Sequence, residues 1–197
     1  MSTERDANVR GASKWLACGR RRGYFSHAAG FSLIELMVIL AVLGVLLGLA
    51  VPSFSATIRN TRLATTTNDF LAALFLTRSE AIKRGKRVTM CTSVDSVSCA
   101  ANVGWHRGWI MFEDTNGNAL HETGEVILRV EDDRSGQMRI TGTSTMRDYI
   151  SYIPTGSTRA ASGALQMATI TICEGGAGRQ IVINATGRPR VVGRAGC

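Results

Sequence analysis

Three sets of side chains in this chain have types and spacings that could do chemistry. The first is a single carboxylate. Glu35 carries the only charge between Phe31 and Val51, a run of 21 residues. A carboxylate left alone in hydrocarbon costs about 2.5–3.5 kcal/mol on insertion scales, and a cation set against it removes much of that penalty. The second set is basic. Between Glu174 and Cys197 there is no further acid, yet Arg179, Arg188, Arg190 and Arg194 are all found there. Guanidinium groups grip phosphate oxygens two at a time, and a cluster without acidic neighbours makes a local positive field. The third set is oxygen-rich. Asp114, Asn116, Asn118 and Glu125 fall at positions 1, 3, 5 and 12 of a calcium loop. Position six is Ala119 rather than Gly, and the flanks read as strands instead of helices, so an Asx-rich hairpin loop is the better reading.

Other chemistry finds less support. Cys91, Cys99, His106 and His121 could be assembled on paper into a zinc site, but their spacings match no common pattern. There is no nucleophile elbow, no HExxH and no phosphate loop. Only three histidines exist, and His27 precedes the apolar run. The chain therefore reads as a non-enzyme, with no metal and no cofactor expected.

These residues need elements to hold them. As a helix, Phe31 to Val51 would be about 31 Å long, enough to cross a hydrocarbon core of about 30 Å. The formal charge of +8 is unevenly spread: Arg5, Arg10, Lys14 and Arg20 to Arg22 against Glu4 and Asp6 place a net +4 in residues 1–30. Lys14 and Arg20 to Arg22 flank the apolar run on one side, and Arg59 and Arg62 on the other. The positive-inside rule then keeps the N-terminus cytoplasmic and exports the rest of the chain. An ordinary secretory signal has an apolar core of about 7–15 residues and a small-residue cleavage site, whereas this run is longer and ends in "VPSF". Of the five cysteines, Cys18 precedes the run while Cys91, Cys99, Cys173 and Cys197 lie beyond it. Four in one oxidising compartment pair without remainder. Three pairings are open; Cys91–Cys99 and Cys173–Cys197 are favoured because each closes a short loop.

Pro52 is expected to kink the helix. Phe70, Leu74, Thr77 and Ala81, with Leu63, Leu71 and Ile82 nearby, then recur at spacings of three and four, so an amphipathic helix continues to "KRGK", with Gly85 as its cap. After Gly85 the period changes. "RVTMCTS", "GWIMFED", "EVILRVE", "MRITGT", "YISYIP", "ATITICE" and "RQIVINATG" are short β-branched or aromatic runs. Seven such candidates predict antiparallel strands in two sheets packed over the helix, an α+β domain. "WIMFEDTNGNALHETGEVILRV" reads as a hairpin with an Asn-Gly turn signal.

The stretch "GFSLIELMV" resembles the processing site of type IV prepilins and type II secretion pseudopilins. That resemblance implies cleavage after Gly30 by a prepilin peptidase and N-methylation of Phe31. Glu35 becomes the fifth mature residue, pairing with the methylated amine of a neighbouring subunit during assembly, and Pro52 matches the family's kinking proline. "WIMFEDTNGN" and its flanks also resemble the GspH/FimT group of minor pilins, and the likeness runs from Gly30 onward. It implies the type IV pilin fold: residues 1–30 a leader, 31–84 the pilin helix (31–51 transmembrane), and 85–197 a β-rich periplasmic domain with a basic C-terminal tail. It also implies a single-pass inner-membrane protein that moves into a pilus or pseudopilus, with other pilin subunits as partners.

"GRPR", Gly187 to Arg190, resembles the Gly-Arg-x-Arg motif of FimT-type pilins, which bind DNA in natural transformation. On that resemblance Arg188 and Arg190 contact DNA and Gly187 shapes the turn; Arg179 and Arg194 are added from charge alone. A competing structural reading has these arginines guarding an exposed sheet edge, with Pro189 blocking strand addition. No aromatic lies beyond Tyr152, so contact would fall on the phosphate backbone, indifferent to sequence. The expectation is a DNA-binding minor pilin. The alternative is a structural pseudopilin of a type II secretion system, and a distant third is an exported metal-binding module.

Overall fold

The computed structural model describes residues 30–133, 136, 138–143 and 146–197, with backbone alone at 49–53, 194 and 195. Residues 1–29 of the expected leader, with Cys18 and His27, lie outside the described residues. The chain divides into two units, Met1–Val45 and Leu46–Cys197. In the first, α1 (Leu33–Arg84) begins, and the large apolar side chains from Phe31 to Val45 are all exposed. Among the described residues no helix is long and apolar enough to cross a membrane. The final residues of the expected span, from Leu49 to Val51, fall where only backbone is described.

In the second unit α1 continues unbroken across Pro52. Leu63, Phe70, Ala73, Leu74 and Ala81 are buried along one face, at the spacing of an amphipathic helix. Thr67 and Thr77 are fully buried on the same face, each donating its hydroxyl to a carbonyl one turn back, Leu63 O at 2.6 Å and Ala73 O at 2.7 Å. That internal bond is what lets a hydroxyl sit in an apolar core. Ile82, expected near the stripe, is instead half exposed. Gly85 ends the helix at φ +63°, with its N–H on Ile82 O.

Among the described residues eight strands come after the helix: β1 (Val88–Thr92), β2 (Trp109–Glu113), β3 (Ile127–Glu131), β4 (Met138–Gly142), β5 (Tyr149–Tyr152), β6 (Ala168–Glu174), β7 (Ala177–Ile183) and β8 (Pro189–Gly196). They form two four-stranded sheets, ordered β3-β2-β1-β5 and β4-β6-β7-β8, and every strand pair is antiparallel. The expected basic tail is thus corrected: residues 189–196 are a strand hydrogen-bonded to β7. Pro189, Gly193 and the arginines hid it, because they break the β-branched pattern by which strands are read.

Both sheets turn their inner faces to α1. Val88, Met90, Met111, Ile150 and Tyr152 from one, and Ile140, Ile170, Ile172, Ile181 and Ile183 from the other, share one core with the helix. Phe70 meets Trp105 edge-on at 5.5 Å between ring centroids, and the Trp105 indole N–H donates to Met146 O at 3.1 Å. β1 and β2 are buried at every position because a second cluster, Cys91, Ile110 and Phe112, is covered on their outer face. A strand covered on both sides need not alternate.

Glu113 closes this arrangement. It is buried at the end of β2, and Arg84 and Lys86 both donate to its carboxylate, Lys86 at 2.9 Å. The Lys86 bond, then the Arg84 bond, hold its pKa below the ordinary carboxylate value. In the unfolded chain the same group titrates at about 4.3, so at acid pH the unfolded state binds more protons than the folded one. The stabilisation is complete above that value and is lost as pH falls through the lower folded pKa. Thermal melts of the full chain should show Tm dropping below about pH 4, and Glu113→Gln should flatten that acid limb while lowering Tm at neutral pH. An acid limb identical in parent and variant would remove Glu113 from this role.

Candidate functional site

The basic residues near the C-terminus are presented by the turn between β7 and β8. Asn184 builds it: its carbonyl accepts from Gly187 N at 2.9 Å, and its side-chain oxygen accepts from Arg188 N at 3.0 Å and from the Thr186 hydroxyl at 2.8 Å. An Asn side chain standing in for backbone is a common way to set a tight turn. Gly187 has φ +73°, and a Cβ there would lie 2.4 Å from Gly156 O and 3.0 Å from Tyr152 Cε1. Both its conformation and its surroundings exclude a side chain. Tyr152 is the floor of this contact; burial raises its phenol pKa and keeps it neutral. Arg188 and Arg190 leave the turn exposed, with buried Pro189 between them.

Strand register sorts the four arginines. Arg190 lies opposite Val182, and Val182 opposite Thr169, so Arg190 stands on the outward face beside uncharged residues. Arg179 lies opposite Ile172, a buried residue of the inner face, and Arg194 lies opposite Arg179 beyond a register shift. Arg179 is three residues along β7 from Val182, about 10 Å away, and on the other face of the sheet. The structure therefore groups Arg188 with Arg190 and sets Arg179 apart. Among the described residues neither Arg188 nor Arg190 has an ion-pair partner.

The strand carrying them is tethered. Cys173 on β6 is bonded to Cys197 past the end of β8, with Cα atoms 6.0 Å apart and a sequence separation of 24. In the chain-entropy description, closing such a loop contributes about 3.5 kcal/mol. Cys91 is bonded to Cys99, Cα to Cα 5.6 Å, which leaves neither thiolate for zinc. The histidines drawn into that paper site serve locally: His106 Nδ1 accepts from Ile140 N at 3.3 Å, and His121 packs edge-on against Phe112 with its Nε2 at 3.2 Å from Glu125 O.

The Asx-rich loop between β2 and β3 is closed on itself. Asp114 is buried, and its carboxylate accepts from Gly117 N, Ala119 N and the Thr89 hydroxyl. Glu125 accepts from Thr115 N and Glu122 N, while Asn116 and Asn118 donate to Glu122. The Asn116–Gly117 pair lies inside this network rather than forming a two-residue hairpin turn. Among the described residues no three His, Cys, Asp or Glu side chains are arranged to hold a metal ion.

At the other end of the chain, Glu35 sits in the first turn of α1, where Ser32 Oγ accepts its backbone N–H at 3.2 Å. Ser with Glu three residues later is a helix-start signature, and a carboxylate there is favoured by the helix dipole. Glu35 therefore has a local role in its own helix as well as an exposed side chain.

The chain is similar to known proteins in sequence and in fold. Residues 66–187 match the family model described as Type II transport protein GspH, and residues 25–51 match the Prokaryotic N-terminal methylation motif. The chain is 28% identical over 165 residues to the pilin-like protein PilA1 of Thermus thermophilus, spanning 82% of this chain and 97% of that protein. Its fold is similar to the crystal structure of the type IV minor pilin FimU of Pseudomonas aeruginosa, with 18% identity and a TM-score of 0.51, over 68% of this chain and 90% of that one.

The turn makes a stability prediction. Gly187→Ala must hold a left-handed backbone and displace Gly156 O, so it should lose at least about 2 kcal/mol in urea denaturation. Asn184→Ala should lose about 1 kcal/mol with its hydrogen bonds. A Gly187→Ala variant as stable as the parent would mean that the turn does not rest on Gly156 and Tyr152.

Proposed function

The chain belongs to the GspH family, minor pilins and pseudopilins of the GspH/FimT type, and from that premise we propose that it is a pilus subunit that captures extracellular DNA for natural transformation. The observation carrying this reading is the pair Arg188 and Arg190, exposed on a turn built around Gly187 and free of acidic partners among the described residues. A guanidinium already paired with a carboxylate would have to give up that contact before meeting a phosphate; these two do not. The tether at Cys197 supports the same reading, because a strand already ordered has less entropy to lose on binding.

Before assembly, a prepilin peptidase removes residues 1–30 and Phe31 is methylated. The apolar half of α1 anchors the subunit in the inner membrane with the β-domain in the periplasm. Glu35 then pairs with the methylated amine of a neighbouring subunit. Exposed apolar side chains from Phe31 to Val45 support an environment of lipid or packed helices for this segment. Two guanidinium groups give weak binding per subunit, raised by several basic surfaces on one filament.

The family match itself favours a second reading, a structural pseudopilin of a type II secretion system, in which Arg188 and Arg190 with Pro189 protect the β8 edge. Salt dependence separates the two. Each phosphate contact contributes about 0.9 to the log–log slope on duplex DNA, so Arg188→Gln with Arg190→Gln should flatten the slope by about 1.8 and weaken binding on every sequence alike. Parent protein that fails to retain DNA, or a slope unchanged in the double variant, favours the secretion reading. Glu35→Ala should still insert in the membrane but enter sheared filaments poorly; normal incorporation would overturn the pairing role.

A further inference from the structure

The turn at Gly187 does not stand alone. Its neighbour, the turn containing Gly156, is itself pressed on α1: a Cβ at Gly156 would lie 2.8 Å from Ile82 Cδ1 and 2.9 Å from Arg78 Nε. Pro154 of the same turn borders a hollow shared with Gly85, Lys86 and Arg87. One contiguous surface therefore runs from Arg188 across residues 154–156 to the C-terminal end of the helix. That end reads Lys83-Arg84-Gly85-Lys86-Arg87, with Arg78 one turn earlier.

The acids facing these five cations are Glu80, Glu113 and Asp114. Glu80 accepts from Arg84 and lies 3.9 Å from Lys83; Glu113 is shared by Arg84 and Lys86. Asp114 is buried and engaged by its own loop. Arg78 is half-buried, and its Nε finds no acceptor. Positive charge is in excess, and its outermost carriers are accessible: the Lys83 side chain is 78% exposed and that of Lys86 55%. The exposed Lys83–Glu80 pair is worth about 0–1 kcal/mol, so a phosphate can compete for that ammonium. Lys86, whose bond to buried Glu113 uses one of its three donors, has the others to offer from a half-exposed side chain.

We propose that the DNA-contacting surface extends from Arg188 and Arg190 over the Pro154–Gly156 turn to Lys83 and Lys86, giving one phosphate-binding face that joins the last strand to the end of α1. This rests on the reading of Arg188 and Arg190 as phosphate contacts. It sets aside Arg179, which register places on the other face, and adds two lysines brought alongside by the fold. The face reads no base edges, so it takes duplexes of any sequence, with ammonium groups acting as point charges beside the guanidinium forks.

The test uses the full chain in detergent micelles and a short duplex of scrambled sequence, with binding measured by fluorescence anisotropy across a salt series. Lys83→Gln with Lys86→Gln should flatten the log–log slope by about 1.8, as much as Arg188→Gln with Arg190→Gln, and the fourfold variant by about 3.6. Replacing both lysines by arginine should restore the slope. Because Lys86 also braces Glu113, Lys83→Gln alone is measured too; it disturbs only an exposed 3.9 Å pair and should cost about 0.9 in slope. Lysine variants with the parent's slope, alongside a flattened arginine variant, overturn the extended face and leave the arginine site standing. A parent chain that does not bind the duplex overturns both.

Discussion

The β-domain depends on one stripe of α1. Leu63, Phe70, Leu74 and Ala81 face two sheets that share no strand pairing with each other, and the helix is the common surface on which both bury their inner isoleucines, methionines and aromatics. Burial of each large apolar side chain contributes about 1.5–3 kcal/mol, and here the helix residues share one core with both sheets. The same stripe explains why two threonines are tolerated at its centre: only a helix offers a carbonyl one turn back for a buried hydroxyl. It also fixes where the helix ends, since Arg84 and Lys86 must reach Glu113 at the edge of β2.

Much of this architecture is legible in the residues. The change of period after Gly85 marks the boundary between helix and sheets, and seven of the eight strands coincide with β-branched runs. The eighth does not, for a local reason. Pro189 and Gly193 suit only an edge strand with a register shift, and such a strand is specified by its neighbour β7 and by the bond to Cys173 more than by its own composition. The hairpin linking β2 and β3 is recognisable, but its Asn-Gly pair is not the turn. The loop is held instead by Asp114 and Glu125 reaching back to backbone N–H groups, a network that no local motif announces.

The basic site divides in the same way. Gly187 and the flanking arginines can be picked out along the chain, and "NATG" carries the turn chemistry in its Asn. Register and contact across the fold cannot be read so simply. Whether Arg179 shares a face with Arg190 depends on its partner on β6, which turns out to be Ile172. The support of Gly187 by Tyr152 and Gly156, far earlier in the chain, is set by the way β5 meets the β7–β8 turn. Glu35 shows a similar duality at the other end of the chain, where one carboxylate both suits the start of its helix and remains exposed for a partner.

The path of the chain between the sheets has its own implication. After β1, β2 and β3 have been laid in one sheet, β4 opens the second, β5 returns to complete the first, and β6, β7 and β8 finish the second. Neither sheet is made from one continuous segment. The two halves are consequently not modules: a break between β4 and β5 separates no self-sufficient piece, and neither sheet can be grafted onto another protein by a single splice. Distant segments must meet before either sheet closes, which raises contact order and slows folding relative to a simple pair of hairpins. Variation in such a protein is channelled into the loops, because any exchange that respects the core has to carry both sheets together.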